Sequence, residues 1–245
     1  MENVCLMYHD VVNEQFPTSG FQKVGARQYT IDSSEFDKHL KIAGKAGNVF
    51  FSFDDGGDSF YNVILESLSH YDKKGIFFIA TSYIGTPHFL TEEQIGKIDK
   101  AGHVIASHSH THPAKISALS KEDCLKEWLT SKEILENIVG HEVTCASVPG
   151  GAVSEMVIDC MIEAGFKEIY TSSPTTEVIE KNGVRIYGRY GVKNTTTEQV
   201  LKKILNSPAY RKRLLMNHQL LGIAKRLLGS QYNNVKQFIL KLKRG

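Results

Sequence analysis

The stretch Val49-Phe50-Phe51-Ser52-Phe53-Asp54-Asp55-Gly56-Gly57-Asp58 places two adjacent carboxylates directly after an apolar, aromatic run. Such a run is typical of a buried β-strand, and the two glycines that follow the carboxylates favour a sharp turn. Enzymes with α/β folds present chemical groups at the ends of their strands. An Asp-Gly turn with solvated acids is the alternative interpretation of the same residues.

A second stretch, His108-Ser109-His110-Thr111-His112-Pro113, follows another apolar run at 103–106. His108 and His112 have the i, i+4 spacing with which two imidazoles can converge on one metal ion from a helical turn. A carboxylate and two histidines form a common metal-binding set that leaves positions open for water and substrate. The second carboxylate of the first stretch would then be free to act as a base.

The two stretches together resemble the first two motifs of the polysaccharide deacetylase family, also known as the NodB-homology domain or carbohydrate esterase family four. The resemblance covers roughly residues 4–192. It implies that Asp54 is the general base and that Asp55, His108 and His112 hold a divalent metal, most often zinc. It also implies a substrate that carries an N-acetylated sugar.

A third motif of the family is altered in this chain. Ser147-Val148-Pro149-Gly150-Gly151 stands where the family often has Arg-x-Pro-Tyr. The resemblance implies that the backbone N–H of Gly150 helps to bind the oxyanion, whereas a plain Pro-Gly turn is the alternative. The missing arginine orients the catalytic aspartate in the family. Arg189, in a late predicted strand, could supply that charge, with a surface position as the alternative.

The general acid also has an unusual place. The family's late Leu-x-His motif has no counterpart, because no histidine lies between His141 and His218. His9 instead ends the first predicted strand, which resembles the permuted family members that act on poly-N-acetylglucosamine. The first and last strands of a closed barrel are neighbours, so we predict His9 as the acid that protonates the departing amine. A satisfied core histidine or a surface residue is the alternative.

The remainder of the chain alternates predicted strands with predicted helices. The strands are predicted at 4–8, 49–53, 75–80, 103–106, 144–148, 168–172 and 184–192, and the helices at 33–45, 58–71, 91–101, 121–139 and 153–164. This alternation is typical of parallel strands with helices outside. We therefore predict an α/β fold: a distorted (β/α) barrel of about seven parallel strands at 1–198, with a helical tail at 199–245.

Charge is unevenly distributed along the chain, although its net value is only +2. Eleven of the 29 lysines and arginines lie after Glu198 and none of the 27 acidic residues does, which leaves residues 1–198 with a net charge of −9. The basic tail is interpreted either as helices packed on the barrel or as a peripheral surface for anionic membranes. Nucleic acid is not an expected partner, because no recognised nucleic-acid motif accompanies the charge.

Location and redox state follow from simple features of the sequence. The N-terminus has no basic region and leads straight into a strand, so that no signal peptide is recognisable. No stretch approaches the ~20 apolar residues of a membrane span. The four cysteines share no metal or redox spacing and are expected to be reduced packing residues. We expect a cytoplasmic protein that visits the inner face of a membrane.

Three classes of function are compatible with these residues. The first is metal-dependent removal of the N-acetyl group from an N-acetylated glycan or lipid-linked sugar during glycan biosynthesis. The second is hydrolysis of another amide, such as a formamide or a cyclic amide, on the same scaffold. The third is a non-catalytic glycan-binding relic. Retention of Asp54, Asp55, His108 and His112 together argues against the third, because a relic needs none of them.

Overall fold

The computed structural model of the protein describes residues 3–228 except positions 45 and 47, with side chains described as far as Ala224. Its strands are β1 (Val4–Tyr8), β2 (Val11–Val12), β3 (Ile31–Asp32), β4 (Val49–Phe53), β5 (Gly75–Ile79), β6 (Val104–Ser107), β7 (Cys145–Ser147), β8 (Glu168–Tyr170), β9 (Val178–Lys181), β10 (Val184–Tyr187) and β11 (Tyr190–Gly191). Its α-helices are α1 (Ser33–Ala43), α2 (Leu65–His70), α3 (Glu92–Lys100), α4 (Lys121–Val139), α5 (Glu155–Glu163), α6 (Glu198–Asn206) and α7 (Pro208–Leu228).

Nine strands form one curled sheet in the order β11-β1-β4-β5-β6-β7-β8-β10-β9. Eight of them are parallel, and only β9 runs antiparallel, as the partner of β10. The strands β2 and β3 form a separate short parallel pair. The predicted parallel barrel is therefore confirmed, with β9 and the small sheet as additions.

The strand predicted at 184–192 is two strands with different neighbours. In β10, Ile186 lies opposite Ile169 of β8, whereas in β11 Tyr190 lies opposite Leu6 of β1. Only Gly188 and Arg189 separate the two strands, so this short join brings the β1 and β8 sides of the sheet together. A Cβ atom at Gly188 would lie 2.4 Å from the carbonyl oxygen of Ser173. The close approach explains why a glycine stands at the join.

Most helices begin and end near the predicted residues, because their caps are encoded locally. A capping box begins α3: the Thr91 side chain accepts from the Gln94 N–H, and the Gln94 side chain accepts from the Thr91 N–H. The helix α4 spans the predicted range and is followed by Gly140 in the left-handed conformation. The helix predicted at 58–71 instead starts with a π-helical segment, Phe60–Ile64, which continues into α2.

The buried apolar side chains form two separate clusters. The larger set lies between the sheet and the helices and includes the stacked rings of Phe53 and Phe77, whose centroids are 4.9 Å apart. The smaller set consists of Cys5, Phe78, Ala106, Cys145 and Tyr170. All four cysteines are buried and free, in agreement with the prediction that they are packing residues.

The predicted helical tail is present as α6 and α7, and its continuation at 229–245 lies outside the described residues. The apolar face of α6 is buried, and this helix contacts α1 and α7. Among the helices that the structure describes, none has the length and apolar character that crossing a membrane would require.

Candidate metal and catalytic site

The predicted site residues come together at the carboxyl ends of the parallel strands. Asp54 and Asp55 follow β4, His108 follows β6, and His9 follows β1. They line one cleft of about 440 Å³, which is also lined by His112, Gly150 and Arg189. Because parallel strands end at the same edge of the sheet, segments far apart in sequence supply this one cleft.

Asp55, His108 and His112 form a compact set of possible metal ligands. Asp55 Oδ1 lies 3.4 Å from His108 Nε2 and 3.2 Å from His112 Nε2, and all three donor atoms lie within 4.8 Å of one another. Ligand atoms about 2.0–2.1 Å from a tetrahedral zinc ion are themselves about 3.3 Å apart. One carboxylate and two imidazoles are also a donor set that zinc accepts, so these residues fit such an ion.

Ser147 sets the orientation of the His108 ring. The carbonyl oxygen of Ser147 lies 3.0 Å from His108 Nδ1, and the Ser147 hydroxyl oxygen lies 2.6 Å from the same nitrogen. An Nδ1–H that donates to the carbonyl leaves the lone pair of Nε2 free to bind a metal. Ser147, which stands where the family often has arginine, therefore acts on His108, and its hydroxyl also lies 3.5 Å from Asp54 Oδ1.

Arg189 is fully buried and holds the Asp54 carboxylate with two parallel hydrogen bonds. Its Nη1 donates to Asp54 Oδ1 at 2.6 Å and its Nη2 donates to Oδ2 at 2.8 Å. Nη1 also donates to Ser52, and Nε donates to the carbonyl oxygen of Thr171. Burial would raise the pKa of Asp54, but the Arg189 guanidinium and His108 hold that pKa below its usual value. Asp54 is therefore ionised and fixed in orientation.

The electrostatics of the ligand set favour a charged carboxylate. Burial opposes ionisation of Asp55, yet hydrogen bonds from His108 and His112 hold its pKa well below the usual value. Burial also lowers the pKa of His108, but the neighbouring Asp54 and Asp55 outweigh this effect and raise it. A cluster whose protonation states depend on one another in this way is typical of functional sites.

His9 lies in the wall of the cleft rather than on the surface. Its ring stacks on Tyr29 with centroids 4.4 Å apart, and within the described residues its buried Nδ1 has no hydrogen-bond partner. Burial lowers the pKa of His9, although Asp55 and Asp54 oppose the shift. Its place in the cleft is compatible with the predicted acid, and its catalytic role stays a prediction.

Gly150 also lines the cleft, together with Val148 and Gly151. Gly150 has a φ of 61° and Gly151 a φ of 66°, both in the left-handed region that glycine adopts without strain. A Cβ atom at Gly151 would lie 2.4 Å from the Ser172 hydroxyl oxygen. The two glycines thus permit a tight turn at the cleft, and the predicted role of the Gly150 N–H as an oxyanion donor stays a prediction.

An aromatic wall of the cleft comes from the loop at 13–30, whose sequence is largely polar. Phe21 packs against the ring of His112 at 5.0 Å and against Tyr83 at 4.8 Å. The loop is tied down by the buried carboxylate of Asp10, which accepts from the Ser19 hydroxyl at 2.6 Å. A phenylalanine in a polar loop gives no signal that it will contact a metal-ligand candidate.

The loop that carries His108 and His112 is held from behind by α4. Glu127 accepts hydrogen bonds from the backbone N–H groups of His110 and Thr111 and from the Thr111 hydroxyl. Ser109 and His112 both have positive φ angles, of 65° and 52°, a conformation that is uncommon outside glycine. No feature of the sequence at 121–139 had indicated that this helix supports the site.

Fold and site together define a parallel α/β barrel protein with a candidate metal centre beside an arginine-held carboxylate. The sequence profile described as polysaccharide deacetylase matches residues 41–169, which is more than half of the chain. The chain belongs to the polysaccharide deacetylase family.

Relatives in sequence and in structure agree with this membership. The peptidoglycan-N-acetylglucosamine deacetylase of Bacillus cereus is 25% identical over 130 residues, which is 53% of this chain and 46% of that protein. The chain thus spans less than half of the length of this relative. The Streptococcus pyogenes deacetylase PplD, solved in complex with acetate, superposes with a TM-score of 0.69 at 19% identity, over 84% of this chain and 99% of that one.

A polysaccharide deacetylase from Bacillus cereus superposes with a TM-score of 0.71 at 17% identity, over 84% of this chain and 69% of that one. At such low identities the superpositions establish the shared fold.

Proposed function

We propose that this protein hydrolyses the N-acetyl group of an N-acetylated sugar within a glycan or a glycan precursor. The observation that carries the proposal is the pairing of two carboxylates with different surroundings. Asp54 accepts two hydrogen bonds from Arg189, whereas Asp55 faces His108 and His112. Adjacent carboxylates with separate tasks are what a base and a metal ligand require. Family membership supports the choice of an acetamide as the bond attacked.

The residues of the cleft supply the proton transfers of such a hydrolysis. Asp54 takes a proton from the water that adds to the carbonyl carbon of the acetamide, and Arg189 keeps the carboxylate aimed and ionised until then. His9 gives a proton to the sugar nitrogen as the carbon–nitrogen bond breaks, so that acetate and an amino sugar leave. A backbone N–H at Gly150 would stabilise the oxyanion that develops between these steps.

The ion that fits Asp55, His108 and His112 is a divalent transition metal, with zinc as the first candidate. When bound, such an ion would polarise the acetamide carbonyl and acidify water. Phe21 and the loop at 13–30 would limit access of bulk water to this side of the cleft, because Phe21 packs directly on His112.

Acetate release from a panel of N-acetylated glycans, lipid-linked sugars and nucleotide sugars tests the proposal. We expect release from at least one of them, loss of release after treatment with a chelator, and recovery with zinc. Formate release from N-formylated sugars would instead indicate the alternative amide hydrolase. Full turnover in the Asp54→Asn variant, or in a protein shown to be metal-free, would contradict the assigned roles.

We further propose that the protein works at the inner face of a membrane, through α7. Met216, Leu220 and Ile223 follow one side of this helix at i, i+4, i+7 spacing and are 52–61% exposed. Lys212 and Arg213 precede them, and no acidic residue occurs after Glu198. Basic amphipathic helices of this kind bind anionic lipid surfaces. Such a location would suit a lipid-linked sugar as substrate.

Co-sedimentation with liposomes tests the membrane proposal. The full chain should bind vesicles of anionic phospholipid at low salt and be released at high salt, because surface charges are screened. Leu220→Asp should weaken binding, whereas Leu129→Asp, at a 47% exposed position on α4, should not. Equal absence from anionic and neutral vesicles would refute the proposal and favour a soluble substrate.

A further inference from the structure

The loop at 108–113 places two metal-ligand candidates in an unusual backbone path. Ser109 and His112 both have positive φ angles, which cost energy for residues with a side chain. Such a conformation persists only when its surroundings fix it. The contacts that fix this loop therefore decide whether His108 and His112 are pre-positioned for an ion.

The carboxylate of Glu127 supplies three of these contacts. Its Oε2 accepts from the N–H of His110 at 3.0 Å and from the N–H of Thr111 at 2.7 Å, and its Oε1 accepts from the Thr111 hydroxyl at 2.7 Å. Hydrogen bonds to an ionised acceptor are about twice as strong as neutral ones. A helix side chain thus takes the place of the backbone partners that a regular turn would have.

One turn further along α4, Ser131 supports the start of the same loop. Its fully buried hydroxyl lies 2.7 Å from the Ser107 hydroxyl, which accepts from the N–H of Ser109 at 3.2 Å. Ser109 in turn accepts from the N–H of His112 through its hydroxyl at 3.2 Å. Residues 127 and 131 lie on one face of the helix because they are four positions apart.

We infer that Glu127 is a positioning residue for the metal centre: it holds the 109–112 loop so that His108 and His112 face Asp55 before any ion binds. The inference rests on the proposed metal centre and adds a residue that touches none of the ligand side chains in the contacts described. The helix α4 is itself anchored in the core through Trp128 and Leu135. The packing of α4 in the core therefore fixes Glu127, and Glu127 in turn fixes the loop that carries the ligand candidates.

Zinc binding to the purified chain, measured by competition with a chelating indicator, tests this inference. Glu127→Ala should weaken zinc binding about 10–100-fold, which is the usual effect of losing a group that orients metal ligands. Glu127→Gln should lie between wild type and Glu127→Ala, because one amide oxygen can still accept from the two N–H groups. Thr111→Val, at an exposed position, should have a smaller effect than Glu127→Ala.

Controls separate positioning from general damage to the fold. Glu133→Ala removes an exposed carboxylate from the same helix and should leave zinc affinity unchanged. The visible absorption spectrum of the cobalt(II)-loaded protein reports ligand geometry and should change in Glu127→Ala while the far-ultraviolet circular dichroism does not. If Glu127→Ala fails to fold, Glu127→Gln and Thr111→Val decide the matter in the same assays.

Wild-type zinc affinity and an unaltered cobalt spectrum in the folded Glu127 variants would overturn the inference. Failure of the wild-type chain to bind zinc or cobalt would be a different result, since it would contradict the proposed metal centre itself. The two failures are therefore distinguishable within one set of measurements.

Discussion

At the scale of single residues, the site depends on two carboxylates that are adjacent in sequence but have different partners. The side chain of Asp54 meets a buried guanidinium, and that of Asp55 meets two imidazoles. Both partners favour the ionised carboxylate, one by a fixed positive charge and the other by hydrogen bonds. The division of tasks is thus set by surroundings rather than by the type of residue.

Arg189→Lys is expected to lower kcat while zinc stoichiometry stays at the wild-type value. A lysine carries the charge but cannot make two parallel hydrogen bonds to a carboxylate, so Asp54 would lose its fixed orientation. We expect a loss of about 10²-fold, within the range that a positioned base contributes. Steady-state kinetics and metal analysis of the same preparation check this. Arg185→Lys, at an exposed position within β10, is the matched control.

An Arg189→Lys protein with wild-type kcat would show that the paired hydrogen bonds from Arg189 to Asp54 are unimportant for turnover. Loss of zinc in that variant would instead show that Arg189 supports the ligand set.

His9→Ala should reduce turnover strongly without altering metal content or fold. If His9 donates the proton to the leaving nitrogen, the alkaline limb of the pH profile of kcat/KM reports its deprotonation, and the variant should lack that limb. His141→Ala removes an exposed histidine and should leave the profile unchanged. Unaltered kinetics of His9→Ala would return His9 to a packing role.

At the scale of elements, what the sequence could predict depended on whether the signal was local. The range predicted for α4 matches the structure, where Ser120 caps its start and Gly140 ends it, and both are local signals. The split of the last predicted strand at Gly188 was not predictable, because it depends on which strands lie beside each half. The burial of Arg189 likewise depends on contacts between distant parts of the chain. So does the support that Glu127 gives to the histidine loop, since its partners His110 and Thr111 lie 17 and 16 positions earlier.

Gly188→Ala should destabilise the join between β10 and β11. Its Cβ would meet the Ser173 carbonyl oxygen at 2.4 Å and Thr175 Cγ2 at 2.5 Å, and overpacking of this kind costs about 1–3 kcal/mol. Chemical denaturation should show the lower free energy of unfolding, and turnover should fall as Arg189 shifts. Gly96→Ala, in α3 with no atom near the new Cβ, should be neutral or slightly stabilising.

A stability as high as wild type in Gly188→Ala would mean that the join can relax without cost. Its tight geometry would then not explain the glycine.

His103 couples the start of β5 to the start of β6 in a pH-dependent way. Its Nδ1 accepts from the N–H of Gly75 at 3.1 Å, and burial together with the nearby Lys74 lowers the pKa of His103 to about 4. Between about pH 6.5 and 4, His103 is therefore protonated in the unfolded chain but neutral in the folded chain. In that window stability should fall as pH falls, by at most about 1.4 kcal/mol per unit.

His103→Asn keeps an acceptor for the Gly75 N–H but cannot take up the proton. The difference in unfolding free energy between wild type and His103→Asn, measured by urea denaturation from pH 4 to 8, should thus shift in favour of the variant at low pH. A difference that is constant across this range would show that His103 does not titrate on unfolding.

At the scale of the whole molecule, the acidic body and the basic tail have different tasks in our proposals. Ligand binding to the body should be visible as global stability, because an ion that binds only the folded chain stabilises it. At a zinc concentration 100 times the Kd, the gain is about 2.7 kcal/mol, or a rise in Tm of about 5–10 °C for a domain of this size.

The thermal shift with zinc should disappear in His112→Ala and persist in His70→Ala, which alters a histidine outside the cleft. An equal shift in His112→Ala would place the bound zinc elsewhere on the chain.

The join at Gly188 and Arg189 also bears on how the chain folds during synthesis. One edge of β1 pairs with β4, which is synthesised soon after it. The other edge pairs with β11, so the pairing of Leu6 with Tyr190 can form only after most of the chain has been synthesised. At translation rates of about 5–20 residues per second, that edge stays unpaired for on the order of 10 s. A nascent strand with an open, apolar edge is prone to pair with other chains. Slow growth of the chain should therefore favour aggregation, and chaperones that cover β1 during this interval should raise the yield of folded protein.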